Sequence, residues 1–173
     1  MTIRVKQLMN CNLYAEGGSF LGALLSITLP EIKHKAVEHK GGDMIGTAKL
    51  PGSMESMSST IKMNGLYADF HSMTANPNKM VSLMVRANQK GRDGYGNIYE
   101  EPVTLFLRGW FSGRKVGELK SSEGTNPEYV MEVFYYRLAV NGLDLEEMDI
   151  ENCIHRVDGV DILADYRSNL GIN

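Results

Sequence analysis

Cysteine is scarce in this chain. There are two in 173 residues, Cys11 and Cys153, far apart and in no C-x-x-C spacing. A disulfide framework needs more of them. Two free thiols in a reducing compartment is the simpler expectation, and a single long-range bridge is the alternative. Long apolar runs are missing too. The longest, Phe20 to Leu25, is interrupted by Gly22 and falls far short of the ~20 residues a membrane helix needs. The first residues hold no signal-type apolar segment with a small-residue cleavage site. The expectation is therefore a protein made and kept in the cytoplasm, with no membrane partner. An excess of one charge is also lacking. The formal net charge is −3, with 23% charged residues. That excludes wrapping nucleic acid by overall charge, which takes clustered Lys and Arg. A surface past which DNA merely slides stays open.

The usual signatures of chemistry are absent. His34, His39, His71 and His155 form no HxH or HExxH motif and no His–Cys pair at metal spacing. Lys33, Lys35 and Lys40 flank the first two and repel a cation. His155 lies two residues from Cys153, but a nucleophile also needs an orienting third group and a cleft. No GxGxxG opens a helix and no GxxxxGK[ST] is present, so a nucleotide site has no support. Asp93-Gly94-Tyr95-Gly96-Asn97 lacks the alternating ligands and terminal glutamate of a calcium loop and reads as a hairpin turn. Glu100-Glu101 and Glu146-Glu147 are adjacent pairs. On a strand such neighbours point to opposite faces, so they cannot cooperate as acid and base. No catalytic, cofactor-binding or metal-ligating residue is assigned, and the expectation is a protein that is not an enzyme.

What is present is a β pattern over one domain spanning 1–173, with 43% hydrophobic residues to build a core. Tyr129 to Val140 is the strongest strand, rich in β-branched and aromatic residues. Asn141-Gly142 then marks a tight turn, with Leu143 to Ile150 returning. Ser26 to Lys35, Met57 to Met63, Lys79 to Ala87 and Val103 to Trp110 are further strands, and Pro30 suits an edge. Leu66, Tyr67, Phe70 and Met73 lie at helical spacing before Asn76-Pro77. Leu163, Tyr166 and Leu170 repeat likewise, with Asp158 or Asp161 as cap and Gly171 after the last turn. Residues 40–57 show little pattern and read as a long loop or an extended hairpin, unusual in a compact domain unless it contacts something. Of the 11 methionines, Met54, Met57, Met63, Met73, Met80 and Met84 fall in one region, suiting a core or an adaptable contact. Residues 1–140 carry 16 Lys and Arg against 13 Asp and Glu, net +3, whereas 141–173 carry 2 against 8, net −6. A basic body with an acidic end can pair head to tail with a copy of itself; a solvated acidic end is the plainer reading.

An ordered set of segments is more specific. Asn12-Leu13-Tyr14, Glu16 to Phe20, Ser26 to Ile32 and Lys40-Gly41-Gly42 open the chain. Arg108-Gly109, Tyr135 to Gly142, Asp149 to Asn152, Val157 to Asp161 and Arg167 to Gly171 close it. Together they resemble the major tail tube proteins of contractile-tailed phages and are similar to the tubes of R-type pyocins, which are headless tails. Nothing is carried over for 114–125. The resemblance implies a mainly β fold with minor α, a tail-tube-type β-sandwich or barrel with one flanking helix and a short C-terminal helix. It implies a structural subunit in hexameric rings stacked head to tail, hence a virion tail component assembled in the host cytoplasm. A contractile sheath protein would lie outside. Baseplate and tail terminator proteins would sit at the ends, and tape-measure protein or DNA transiently inside. The tube of a headless phage-tail-like bacteriocin or related contractile injection machine is the alternative; a small β-rich enzyme or ligand-binding domain finds no support in the residues, and a soluble monomeric adaptor is a third class.

Two surfaces follow as expectations. The 40–57 segment is expected to contact the adjacent ring or subunit, through Lys40, Gly41, Gly42, Met44, Lys49, Met54 and Met57. A bore that lets DNA pass wants no net basic lining, and Glu128, Glu132, Glu146 and Glu147, all in strand-like segments, are its candidate residues.

Overall fold

The computed structural model describes residues 5–118 and 124–172. Strands come in the order β1 (Val5–Ala15), β2 (Gly18–Ser19), β3 (Leu24–Ile27), β4 (His34–His39), β5 (Ala48–Met54) and β6 (Met57–Met63). A short helix, α1 (Ala68–Thr74), precedes the long strands β7 (Val81–Arg92), β8 (Ile98–Lys115) and β9 (Glu128–Val140). The chain ends with β10 (Leu143–Asp149), β11 (Ile154–Val157), β12 (Val160–Asp161) and α2 (Ala164–Leu170).

All but two strands form one antiparallel sheet, ordered β12-β11-β10-β9-β8-β7-β1-β2. β9 is its hub. β8 runs along one side of it, while the other side pairs with β6 over Glu128–Val133 and with β10 over Tyr135–Val140. β3 continues from β6, so the sheet curls around a core. Period-2 alternation supplies that core: Leu13 and Ala15, Met57, Ile61 and Met63, Val81, Leu83 and Val85, Leu105, Leu107 and Phe111, then Tyr129, Met131 and Val133. α1 closes it by one side chain. The Phe70 ring packs edge-on against Phe20 at 5.3 Å, Phe111 at 5.9 Å and Tyr129 at 5.0 Å, a favoured aromatic geometry.

The hairpin signals hold. Asn141 and Gly142 both take positive φ, 52° and 79°, as a two-residue primed turn requires. Gly171 ends α2 in the left-handed region at φ 68°. Neither proposed cap is the N-cap of α2, which is Leu163 with no side-chain cap bond; Asp161 accepts from the Leu163 N–H at 3.1 Å, while Asp158 lies at φ 49° in the β11–β12 turn.

Three readings change. Ser26 to Lys35 is two strands, not one: β3 stops at Ile27 and β4 starts at His34. Pro30 between them is buried and has no N–H to donate, so the ladder cannot run through it. Leu66 and Tyr67 precede α1, and within the helix Phe70 and Thr74 are the buried residues. β1 escapes a period-2 reading because its register shifts between Leu8 and Asn10. A bulge there switches which side chains face inward. Cys11 and Cys153 are both free thiols.

Candidate assembly surfaces

The 40–57 segment belongs to an extended hairpin. β4 and β5 pair only with each other, from His34 opposite Met54 to His39 opposite Ala48. Val37 faces Leu50 across the pair, and both are exposed. Lys49 meets Glu38 at 3.3 Å. At the tip, Gly41 and Met44 close a turn, the Met44 N–H donating to the Gly41 carbonyl at 3.2 Å. Lys40, Gly42, Met44 and Ile45 stand in solvent. Gly52 allows the strands to approach, because a Cβ there would meet Val37 and the Lys35 carbonyl. A two-stranded hairpin with no layer beneath it is marginal in water, and its exposed apolar side chains ask for a partner.

The contact set is shorter than expected at one end. Met54 is half-buried against the core. Met57 is 1% exposed inside β6, so it packs the subunit itself and has no surface to offer a neighbour. The methionine-rich region divides the same way: Met57 and Met63 are core, and Met80 is exposed.

The four glutamates do not share one face. Glu128 and Glu132 alternate with the buried Tyr129, Met131 and Val133, so they lie on the sheet face away from the core. Glu147 lies opposite Arg137 and Arg156 on that same side. Glu146 is its neighbour and turns the other way, towards the Leu138 and Met148 side. There it meets His155 Nε2 at 2.9 Å, so it does not share a face with the other three. The remaining three are partnered. Glu128 pairs with Lys62 at 2.8 Å, Glu132 accepts from the Ser112 hydroxyl at 3.0 Å, and Glu147 meets Arg156 at 2.7 Å and the Tyr135 hydroxyl at 2.9 Å.

Sequence reasoning missed which groups of the acidic end pair internally. Asp144 takes a two-pronged contact from Arg137 at 2.7 and 3.0 Å. Asp161 accepts from Arg167 at 2.6 Å. That bond lowers the Asp161 carboxyl below its ordinary value, against a smaller opposing effect of burial. Burial, with Glu147 second, raises the Tyr135 hydroxyl. Formal charge counting cannot see such pairs, because the partners meet only in the folded chain. Among the described residues, no group of three or more His, Cys, Asp or Glu is placed to hold a metal ion, and no helix is long and apolar enough to cross a membrane.

Among the described residues the sheet also leaves its backbone edges open. β2 covers β1 only at Tyr14 and Ala15. At the far end, β11 covers β10 from Glu146 on, and β12 covers only Arg156 and Val157 of β11. Open edges of this kind are templates for pairing with another chain.

The family model described as phage tail tube protein FII matches residues 5–171. The chain is 27% identical over 171 residues to the tail tube protein of Escherichia phage P2, covering 96% of this chain and 98% of that one. It is 25% identical over 166 residues to the major tail tube protein of Serratia phage KSP20, covering 92% of each. Its fold resembles a chain in the PVC sheath–tube complex, an extracellular contractile injection system in the extended state. There the TM-score is 0.56 at 9% identity, with 75% of this chain and 87% of that one covered.

Proposed function

The chain belongs to the family of phage tail tube protein FII and is a structural tail tube subunit, and we propose that its copies close into hexameric rings that stack head to tail inside a contractile sheath. DNA and, before it, a tape-measure protein would occupy the bore. Baseplate and terminator proteins would hold the two ends. The observation that carries the assembly is the lone β4–β5 hairpin. It is a structured arm with exposed Val37, Met44, Ile45 and Leu50 whose strands, among the described residues, pair only with each other. A neighbouring copy supplies the missing layer, with Lys40, Gly41, Gly42, Met44, Lys49 and Met54 in or beside the contact.

Lateral contacts follow from the two open ends of the sheet. A ring that joins the β1 edge of one copy to the β10–β12 end of the next leaves no edge free within the plane. Stacking is heterologous and so has no natural limit along the axis. For the bore we assign Glu128, Glu132 and Glu147. Each is partnered by a local donor, giving a wall of low net charge that does not grip phosphates. A second reading, the tube of a headless tail-like particle, draws on the likeness to the PVC chain; it changes the cargo and keeps the architecture.

Two measurements test this. Negative-stain microscopy of the purified protein should show rings or tubes, and a preparation of small isolated particles alone would sink the proposal. Replacing residues 36–52 by a short Gly-Ser link should leave a folded subunit, shown by a cooperative thermal melt, that no longer forms tubes. The cut stops before Met54 because a deletion through Met57 would open the core.

A further inference from the structure

The two ends of the long sheet differ in charge once internal pairs are set aside. At the β1–β7 end, Lys6 meets Glu101 at 2.7 Å and Lys90 meets Glu100 at 3.3 Å. Glu16 is matched by Lys79 at 2.8 Å. Arg86 and Arg92 of β7 are left over. Both are exposed, and among the described residues neither side chain has an ion-pair or hydrogen-bond partner. At the opposite end, Asp144, Glu147 and Asp161 have arginine partners, and Glu146 meets the His155 ring. Asp149 accepts from the Asn152 N–H at 3.0 Å and its side-chain amide at 2.7 Å. Glu151, Asp158 and Asp165 are exposed, and among the described residues their carboxylates have no partner. One subunit thus carries bare cations at one sheet end and bare carboxylates at the other.

Arg86 lies opposite Asn12 of β1, on the face away from the core, since its neighbour Val85 is buried. Arg92 is an even number of residues further along the same strand and shares that face. Only β1 separates them from the open edge, one strand spacing of about 4.8 Å. A groove of about 440 Å³ opens beside Arg86, lined in part by Asn10, Asn12, Leu21, Asn88 and Glu100. Glu100 is already engaged, by Lys90 and by the Asn88 amide at 3.1 Å. The Asn12 amide donates to the Ser19 hydroxyl at 3.1 Å, but Asn12 Oδ1 is buried with no hydrogen-bond partner. A buried acceptor without a donor is costly. An occupant that completes this groove brings a carboxylate for Arg86 and a donor for Asn12. A phosphodiester has no donor to give. An acidic residue in a polypeptide has both, in its side chain and in the backbone N–H groups around it.

We propose that copies within a ring select each other by charge: Arg86 and Arg92 of one copy take the carboxylates of Glu151, Asp158 and Asp165 from the next. This rests on the tube reading and adds to it the groups that choose the lateral neighbour. A second copy fits because the chain itself holds the matching set at the far end of the same sheet. Two different, complementary ends make a head-to-tail contact, which closes into a ring when the rotation allows. The face matters as well. Glu128 and Glu132 also lie on the side away from the core, the side assigned to the bore. Bare arginines there would grip phosphates as DNA passes; carboxylates from the neighbour mask them.

Charge reversal tests the pairing. R86E/R92E and E151K/D158K/D165K alter side chains that have no partner within the described subunit, so both variants should melt as the parent does. Each alone sets like charges against each other at every contact. Each should raise the critical concentration for ring formation about tenfold or more, because juxtaposed like charges suppress a contact. Mixed in equal amounts, the two should alternate around a ring and assemble near the parent's concentration. Added salt should weaken the parent's own rings. R86E/R92E rings at the parent's critical concentration would overturn the proposal while leaving the tube reading intact. The same rings with altered DNA passage would place the two arginines on the bore instead. A mixture that assembles no better than either variant alone would overturn the pairing. If the parent chain itself forms neither rings nor tubes, the tube reading fails first.

Discussion

Gly109 and Gly91 both lie in the long strands, and their surroundings set different demands. A Cβ on Gly109 would collide with the backbone carbonyl of Glu132. This is where the β8–β9 register shifts between Arg108 and Gly109. Backbone cannot swing away, so G109A should destabilise by about 1–3 kcal/mol in urea unfolding, the cost of overpacking a tight site. At Gly91 the obstacle is the Tyr99 ring at 2.5 Å, a side chain that can rotate aside. G91A should therefore cost clearly less, and equal losses at the two sites would contradict this account.

Asp161 makes a pH prediction of definite sign. Its carboxyl lies below the ordinary 3.8 chiefly because Arg167 bonds to it, with the Leu163 N–H adding to the effect and Arg156 near by. A depressed acid stabilises the fold fully above its unfolded value and loses that contribution as pH falls through the lower folded value. The start of α2 should hold from neutral pH down to about 4 and loosen below it. Amide chemical shifts of residues 162–170 would show the transition, and D161N should abolish it. The pair is partly buried, its side chains 20% and 17% exposed, so added salt should blunt the effect only in part.

At the scale of elements, the β4–β5 hairpin and the β7–β8 hairpin differ in what holds them. β7 and β8 bury Val81, Leu83, Val85, Leu105 and Leu107 along one face and so are stable within the subunit. β4 has no buried residue, and two strands alone are marginal. Amide exchange should separate them: in dissociated subunits residues 34–54 exchange fast while 81–87 are protected. On assembly the hairpin amides should become protected by at least about tenfold, since few buried contacts mean a small local opening free energy. Hairpin amides that exchange equally fast in assembled tubes would remove the hairpin from the interface.

At the scale of the whole molecule, the acidic end stays acidic. Asp144, Glu147 and Asp161 pair with Arg137, Arg156 and Arg167 within the subunit, and Glu146 meets the His155 ring. Arg156 and Arg167 already count in the net −6 of 141–173, so only Arg137 lowers it, to −5. Head-to-tail attraction between a basic body and an acidic end is therefore only slightly weaker than the formal charges suggest, and the sheet edges and the exposed hairpin add to it. The same matching bears on the bore. Changing Glu128, Glu132 and Glu147 to Lys would place unmatched cations in the wall beside Lys62 and Arg156. In a particle that still assembles, genome ejection should slow, and more so at low salt, because phosphate contacts weaken as counterions compete. Ejection at the parent rate from such a particle would take these residues off the lumen.

The elements with the cleanest local chemistry are legible in the residues themselves. β9 shows in its run of aromatic and β-branched residues, the Asn141-Gly142 turn in its tolerance of positive φ, and α2 in its spacing and in Gly171. Each depends on neighbours along the chain, so the local pattern is enough for them and for the β class. Other outcomes needed the folded chain. The bulge in β1 shifts its alternation, Met57 goes inward while Met44 goes outward, and Glu146 and Glu147 part to opposite faces with different partners. Which strand lies alongside, and which face is covered, settles every one of these. Such facts are set by pairing between residues distant in the chain, which no local pattern encodes.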